Sequence, residues 1–221
     1  MDELSLIQRL AVLILPVVLA ITVHEAAHGY VADRLGDHTA RMLGRVTLNP
    51  LRHIDPLGTV LIPLGMYALT GFLFGWAKPV PVNPRNLANP RRGMAVVAAA
   101  GPISNLVMAA LWSVVYVVGT WLLPVSYWVG EPMRFMGGAG ILINAVLLVL
   151  NMIPLPPLDG GRVLVGVLPR NLARVVAQVE PYGLFILVAL LVSGVLGQFI
   201  SPFITGMIRL LPGSDFVLHY F

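Results

Sequence analysis

LAVLILPVVLAITVHEAAHGYVA, residues 10–32, opens with fourteen residues that carry no charge and then sets two histidines and a glutamate within five positions. An uncharged run leading into small residues reads as a membrane helix, since a bilayer core takes about 20 residues. Ionisable side chains at that depth cost about 2.5–3.5 kcal/mol on insertion scales, so they mark function by default. In a helix, positions i and i+4 share one face. His24 and His28 can therefore hold one metal ion, and Glu25, about a quarter-turn from His24, can reach a water on it. This is the HExxH arrangement of two zinc ligands and a general base.

Composition extends the membrane reading to the whole chain. Of 221 residues, 57% are hydrophobic and 11% charged, with a mean hydropathy of +0.86; a soluble domain carries about a quarter charged residues. Residues 93–130, 135–158 and 181–208 contain no Asp, Glu, Lys or Arg, and each run is long enough to cross. Residues 57–75 form a further candidate. The expected fold is an all-α membrane protein, a polytopic helical bundle of about four to six membrane segments. It forms a single membrane-embedded domain over 1–221, with a core at 5–170 and a C-terminal helical region at 180–212. Residues 199–212, bounded by Pro202 and Pro212, are expected at the membrane interface. The Met-Asp-Glu flank and the motif after the apolar run both depart from a cleaved signal peptide. The sequence pI near 9.9 comes mostly from arginine. No motif for nucleic acid accompanies it, so the charge is read as topological.

Arginines 34, 41, 45 and 52 follow the first helix, Lys78, Arg85, Arg91 and Arg92 precede the third apolar run, and Arg162, Arg170 and Arg174 follow the fourth. The positive-inside rule places all of these in the cytoplasm. Segment 57–75 then enters and leaves by one face. Gly58, Pro63, Gly65 and Gly71 interrupt a regular helix there, which favours a re-entrant hairpin, or a short β element, over a span.

A catalytic zinc needs a third protein ligand. Asp33, Asp37 and His38 are expected to solvate the end of the first helix. Asp159 closes NMIPLPPLDGG (151–161), where Pro154, Pro156 and Pro157 break a helix and two glycines permit a tight turn. If 57–75 re-enters, the next two runs go out and return, and Asp159 arrives at the depth of His24 and His28. A di-iron centre would need a second E-x-x-H motif and two further glutamates from facing helices; the chain has four glutamates in all and no second E-x-x-H.

HEAAH, AGPISN (100–105) and NMIPLPPLDGG together resemble the site-2 protease family of intramembrane zinc metalloproteases. LNPLRHIDPLGT (48–59) and FGWAKPVPVNP (74–84) are similar to its small bacterial and archaeal form without PDZ or CBS domains. The resemblance implies one Zn2+ per chain, held by His24, His28 and Asp159, with Glu25 as the base. It implies cleavage of a transmembrane protein substrate near the cytoplasmic face of a prokaryotic cell membrane, with membrane lipids as the surroundings. Asn105 and Asn151 match family asparagines thought to hold substrate or oxyanion; interhelical hydrogen bonding is the alternative for each. His53 and Asp55 read either as a secondary polar site or as a capped loop. Two rival functions share these features, a membrane metal transporter and a non-catalytic helix-binding adaptor. Oligomeric state leaves no mark in the sequence.

Overall fold

The computed structural model describes residues 5–62, 65 and 75–221. The first helix, α1 (Leu6–Arg34), starts at a capping box. Ser5 Oγ accepts the Gln8 N–H at 3.3 Å and Gln8 Oε1 accepts the Ser5 N–H at 2.9 Å, which satisfies two of the helix's orphan donors. It ends at Leu35, followed by Gly36 at φ +104°, a left-handed conformation that favours glycine. A four-residue helix, α2 (Thr39–Met42), follows.

The expected hairpin or β element at 57–75 lies for the most part outside the described residues. Its described flanks meet: the Trp76 N–H donates to Gly58 O and the Lys78 N–H to His53 O, both at 2.9 Å. Asp55 caps the turn at Pro56–Leu61 by accepting the Leu57 and Gly58 N–H groups, which is the capped-loop alternative for this stretch. Among the described residues there is no strand.

Helix α3 (Pro90–Leu122) begins with Asn89 as its cap and Pro90 in the first turn, where a missing N–H costs nothing. The charge-free run 93–130 is not one helix. Pro124 has no N–H to continue the ladder, and the chain turns before α4 (Tyr127–Asn151). The first turns of α4 carry Glu131 and Arg134, paired at 3.3 Å, so this helix starts ahead of the run 135–158. Trp121, Tyr127 and Trp128 at the α3–α4 turn are exposed, as aromatic residues are at a membrane–water interface.

Five shorter helices follow: α5 (Asp159–Val167), α6 (Arg170–Ala177), α7 (Glu180–Val192), α8 (Val195–Ile208) and α9 (Ser214–Tyr220). Among the described residues, α1 from Leu10, α3 and α4 are long and apolar enough to cross a membrane. The α6–α7 pair, bent by 59°, makes a fourth if it is one span. Run 181–208, expected as one crossing, divides at Gly194, which takes φ +75° between α7 and α8. Residues 199–212 are exposed or half-buried apart from Ile208. The end of α8 and the following α9 turn into the core, where Ile208 and Val217 pack with Trp112, Ile141 and Ala145, and Phe216 packs with Val12 and Phe135.

Helices α3 and α4 approach closely through glycine. A Cβ on Gly137 would sit 2.6 Å from Tyr116 N, and one on Gly119 2.8 Å from Arg134 N. Small residues at such a seam let backbones touch where lipid removes any hydrophobic drive between helices.

Asp33 and Asp37, expected to solvate the helix end, are both buried. Asp33 pairs with His38 at 2.7 Å and Arg41 at 3.1 Å. Asp37 accepts from the Asn83 N–H at 2.6 Å, Asn86 Nδ2 at 2.8 Å and Thr39 Oγ1 at 2.5 Å, tying the end of α1 to the 83–86 turn. Burial opposes its charge, but these hydrogen bonds outweigh burial and hold its pKa below the usual carboxylate value. With the folded value depressed, the stabilisation is complete above the unfolded pKa of about 3.9 and is lost as pH falls through the folded value. Asp37→Ala is expected to destabilise by about 1–3 kcal/mol through the orphaned donors, with a shallower loss of stability below about pH 4. Thermal unfolding of both proteins across that range checks it.

Candidate metal centre

Helix α1 places His24 and His28 on one face, and their rings meet edge to face at 4.7 Å between centroids. Asp159 is the first residue of α5. It is set there by the turn after α4, against which Gly160 packs without room for a side chain: a Cβ would lie 2.6 Å from Ile153 O. The three side chains converge. His24 Nε2 and His28 Nε2 are 3.1 Å apart, and Asp159 Oδ2 lies 3.2 Å from the first and 3.4 Å from the second. Zinc bonds of about 2.0–2.1 Å in a tetrahedron separate ligand atoms by about 3.3 Å. The three atoms thus form one face of such a tetrahedron and leave its fourth corner to a non-protein ligand.

Protonation supports the fit. His28 Nδ1 lies 2.8 Å from Val97 O, and a carbonyl only accepts, so Nδ1 carries the hydrogen and Nε2 of the neutral ring a lone pair. His24 Nδ1 lies 2.6 Å from Asn105 Oδ1, the same arrangement with a side-chain acceptor. Asp159 Oδ2 is buried and has no hydrogen-bond donor. Two lone pairs and a carboxylate oxygen facing one another repel unless a cation lies among them. The ligand atoms of these residues all lie within 4.8 Å of one another. The donor set, two imidazoles and one carboxylate without thiolate, suits zinc.

Helix α3 backs both histidines with a stripe at i, i+4 and i+8. Val97 O holds His28, Asn105 holds His24, and Gly101 lies beneath both rings; a Cβ there would sit 2.5 Å from His28 Nε2 and 2.6 Å from His24 Nε2. Asn105 is fully buried. Its Nδ2 donates to Ala20 O at 3.3 Å and to Asn144 Oδ1 at 2.8 Å. Its amide is thus engaged between helices, behind His24. Asn151, at the end of α4, donates from Nδ2 to Leu147 O at 2.9 Å, within its own helix.

Glu25 is next to His24, and its Oε2 accepts the Val80 N–H at 2.9 Å. Prolines 79 and 81 flank Val80, so this N–H is the single main-chain donor of residues 79–81. Arg45 secures the segment by donating from Nη2 to Lys78 O at 2.7 Å and Pro79 O at 3.3 Å. Arg45 had been counted only as topological charge, yet it is buried. Gly101, Val80, Arg45 and Asn144 were not singled out by the sequence reading. Asn144 carried a usable signal, an amide inside an apolar helix; Gly101 and Val80 lie within the AGPISN and FGWAKPVPVNP stretches with no role of their own read there, and Arg45 reads as topological charge.

The chain is 36% identical over 217 residues to "Putative zinc metalloprotease YwhC" of Bacillus subtilis, covering 95% of this chain and 90% of that protein. It is 31% identical over 183 residues to "Putative zinc metalloprotease Rip2" of Mycolicibacterium smegmatis, covering 81% of this chain and 66% of that protein. The Rip2 protein of Mycobacterium tuberculosis H37Rv is 30% identical over 178 residues, 79% of this chain and 64% of its own length. No family model matches the chain, and no solved structure matches it.

Proposed function

The chain belongs to the site-2 protease family of zinc metalloproteases, and from that premise we propose that it hydrolyses peptide bonds within or near the transmembrane segments of membrane-protein substrates. One observation carries the reading: His24 and His28, on a helix long and apolar enough to cross a membrane, converge with Asp159 as three acceptors. In this reading one Zn2+ per chain sits among them. When bound, it supplies a Lewis acid that polarises the scissile carbonyl and brings the pKa of water towards 7.

Each other part belongs to the chain. Glu25 takes the proton from the attacking water and passes it to the leaving amine. The Val80 N–H fixes the Glu25 carboxylate by holding Oε2. The substrate is unwound at the cut, because a helical carbonyl is otherwise occupied by its own N–H partner. The arginine distribution favours a site near the cytoplasmic face of the membrane, with lipid around the exposed apolar faces.

Val80→Pro keeps the extended backbone that a residue before proline already adopts but deletes the donor to Glu25. A hydrogen bond to a charged group is worth about 1.5–3 kcal/mol, so kcat is expected to fall roughly 10- to 100-fold. Val80→Ala, which keeps the N–H, controls for the lost side chain in the same kinetic assay.

The function is tested by reconstituting the protein in vesicles with zinc and a single-span substrate, then mapping products by mass spectrometry. A cut inside the apolar segment, abolished by a zinc chelator, is expected. Cuts confined to the soluble flanks would overturn the intramembrane reading. Zinc uptake into the vesicles without any cut would favour a transporter.

A further inference from the structure

We propose that Asn144 is a positioning residue that fixes the tautomer of His24 through Asn105; the proposal rests on the zinc reading above and concerns how the ligand is prepared. Asn144 lies in α4 and is fully buried. Its Nδ2 donates to Gly140 O at 2.8 Å. A main-chain carbonyl accepts and never donates, so this contact fixes the direction of the Asn144 amide and turns Oδ1 towards α3.

There Oδ1 accepts from Asn105 Nδ2 at 2.8 Å. The same Nδ2 donates to Ala20 O at 3.3 Å, a second obligate acceptor on α1. With both its N–H groups committed, Asn105 presents Oδ1 to His24 Nδ1 at 2.6 Å. That nitrogen must then carry the ring hydrogen, which leaves the Nε2 lone pair facing His28 and Asp159. The relay runs from α4 through α3 to α1, and carbonyls that cannot reverse polarity anchor it.

Without Asn144, the longer contact to Ala20 O alone resists rotation of the Asn105 amide. A rotated amide turns Nδ2 to His24 Nδ1, moves the ring hydrogen to Nε2 and blocks the metal position. Partners that orient a metal-ligating histidine typically change metal affinity by about 10- to 100-fold when removed. Asn144→Leu conserves volume and removes the relay. Asn105→Asp makes the relay unnecessary, because a carboxylate accepts from His24 through either oxygen.

The test uses the full chain in detergent with 15N-labelled histidine. In the zinc-free wild type, His24 is expected as the Nδ1–H tautomer. In Asn144→Leu an Nε2–H population is expected, with zinc affinity, measured by chelator competition, about 10- to 100-fold weaker. Asn105→Asp combined with Asn144→Leu is expected to recover affinity, which a purely structural role for Asn144 would not allow. If Asn144→Leu does not fold, Asn144→Ala is read in the same two assays. An Nε2–H His24 in the zinc-free wild type, or a Leu or Ala variant with unchanged tautomer and affinity, overturns the proposal. A wild type that binds no zinc overturns the metal reading instead, and the zinc-free tautomer still decides this one.

Discussion

Glu25→Gln is expected to stop peptide-bond hydrolysis while zinc remains bound. Glutamine matches glutamate in shape, and its amide oxygen can still accept the Val80 N–H that now holds Oε2. What it lacks is a site that takes a proton near neutral pH. A positioned general base contributes about 10²–10⁴-fold, or about 3–5 kcal/mol of barrier, and kcat is expected to fall by that factor. Because His24, His28 and Asp159 are untouched, zinc content by elemental analysis should stay at the wild-type level. The paired measurement matters, since loss of both zinc and activity would indicate a damaged site rather than a missing base. A variant that cleaves as the wild type does would remove Glu25 from the chemistry.

Gly101→Ala is expected to disable the metal site with all three ligands chemically intact. The added Cβ would stand 2.5–2.6 Å from the Nε2 atoms of both histidines, well inside contact distance. The rings cannot swing aside, because Val97 O and Asn105 on the same helix hold their Nδ1 atoms at 2.8 and 2.6 Å. Either α3 backs away, breaking those bonds, or the two nitrogens leave their positions. Overpacking of this kind costs about 1–3 kcal/mol, and a displacement near 1 Å at a reacting centre costs about 10²-fold. Zinc affinity and kcat should both fall by about that factor, while helix content by circular dichroism stays unchanged. Wild-type zinc affinity in this variant would mean that the rings do not rest on Gly101.

The two histidines and their glutamate were legible because helical geometry and three letters of sequence suffice to put the histidines on one face and the glutamate about a quarter-turn away. Asp159 was reached by counting crossings on the assumption that 57–75 re-enters; among the described residues α3 and α4 are two potential crossings between His28 and Asp159, and the carboxylate meets the histidines. What could not be read was which polar residue would find a distant partner. Asp37 looked like a solvated helix end, yet its acceptors are filled from residues 83 and 86. Arg45 looked like surface charge and is a buried clamp. Run 181–208 has the composition of a span, but Gly194 in a left-handed turn divides it, and composition over a window does not register one dihedral angle. The inward turn of α9 depends on Phe216 and Val217 meeting α4, a long-range match with no local signature.

The stripe Val97–Gly101–Asn105 also bears on how a substrate reaches the site. A lateral gate opens where two helices can part without cost, and the α1–α3 seam is the reverse of that. Prising it open by one side-chain width would break both ring-nitrogen hydrogen bonds and take the histidines off their glycine floor. Within the proposed function, the α1–α3 seam is therefore the fixed side of the site, and Glu25 lies on another flank of α1, facing the 79–81 segment.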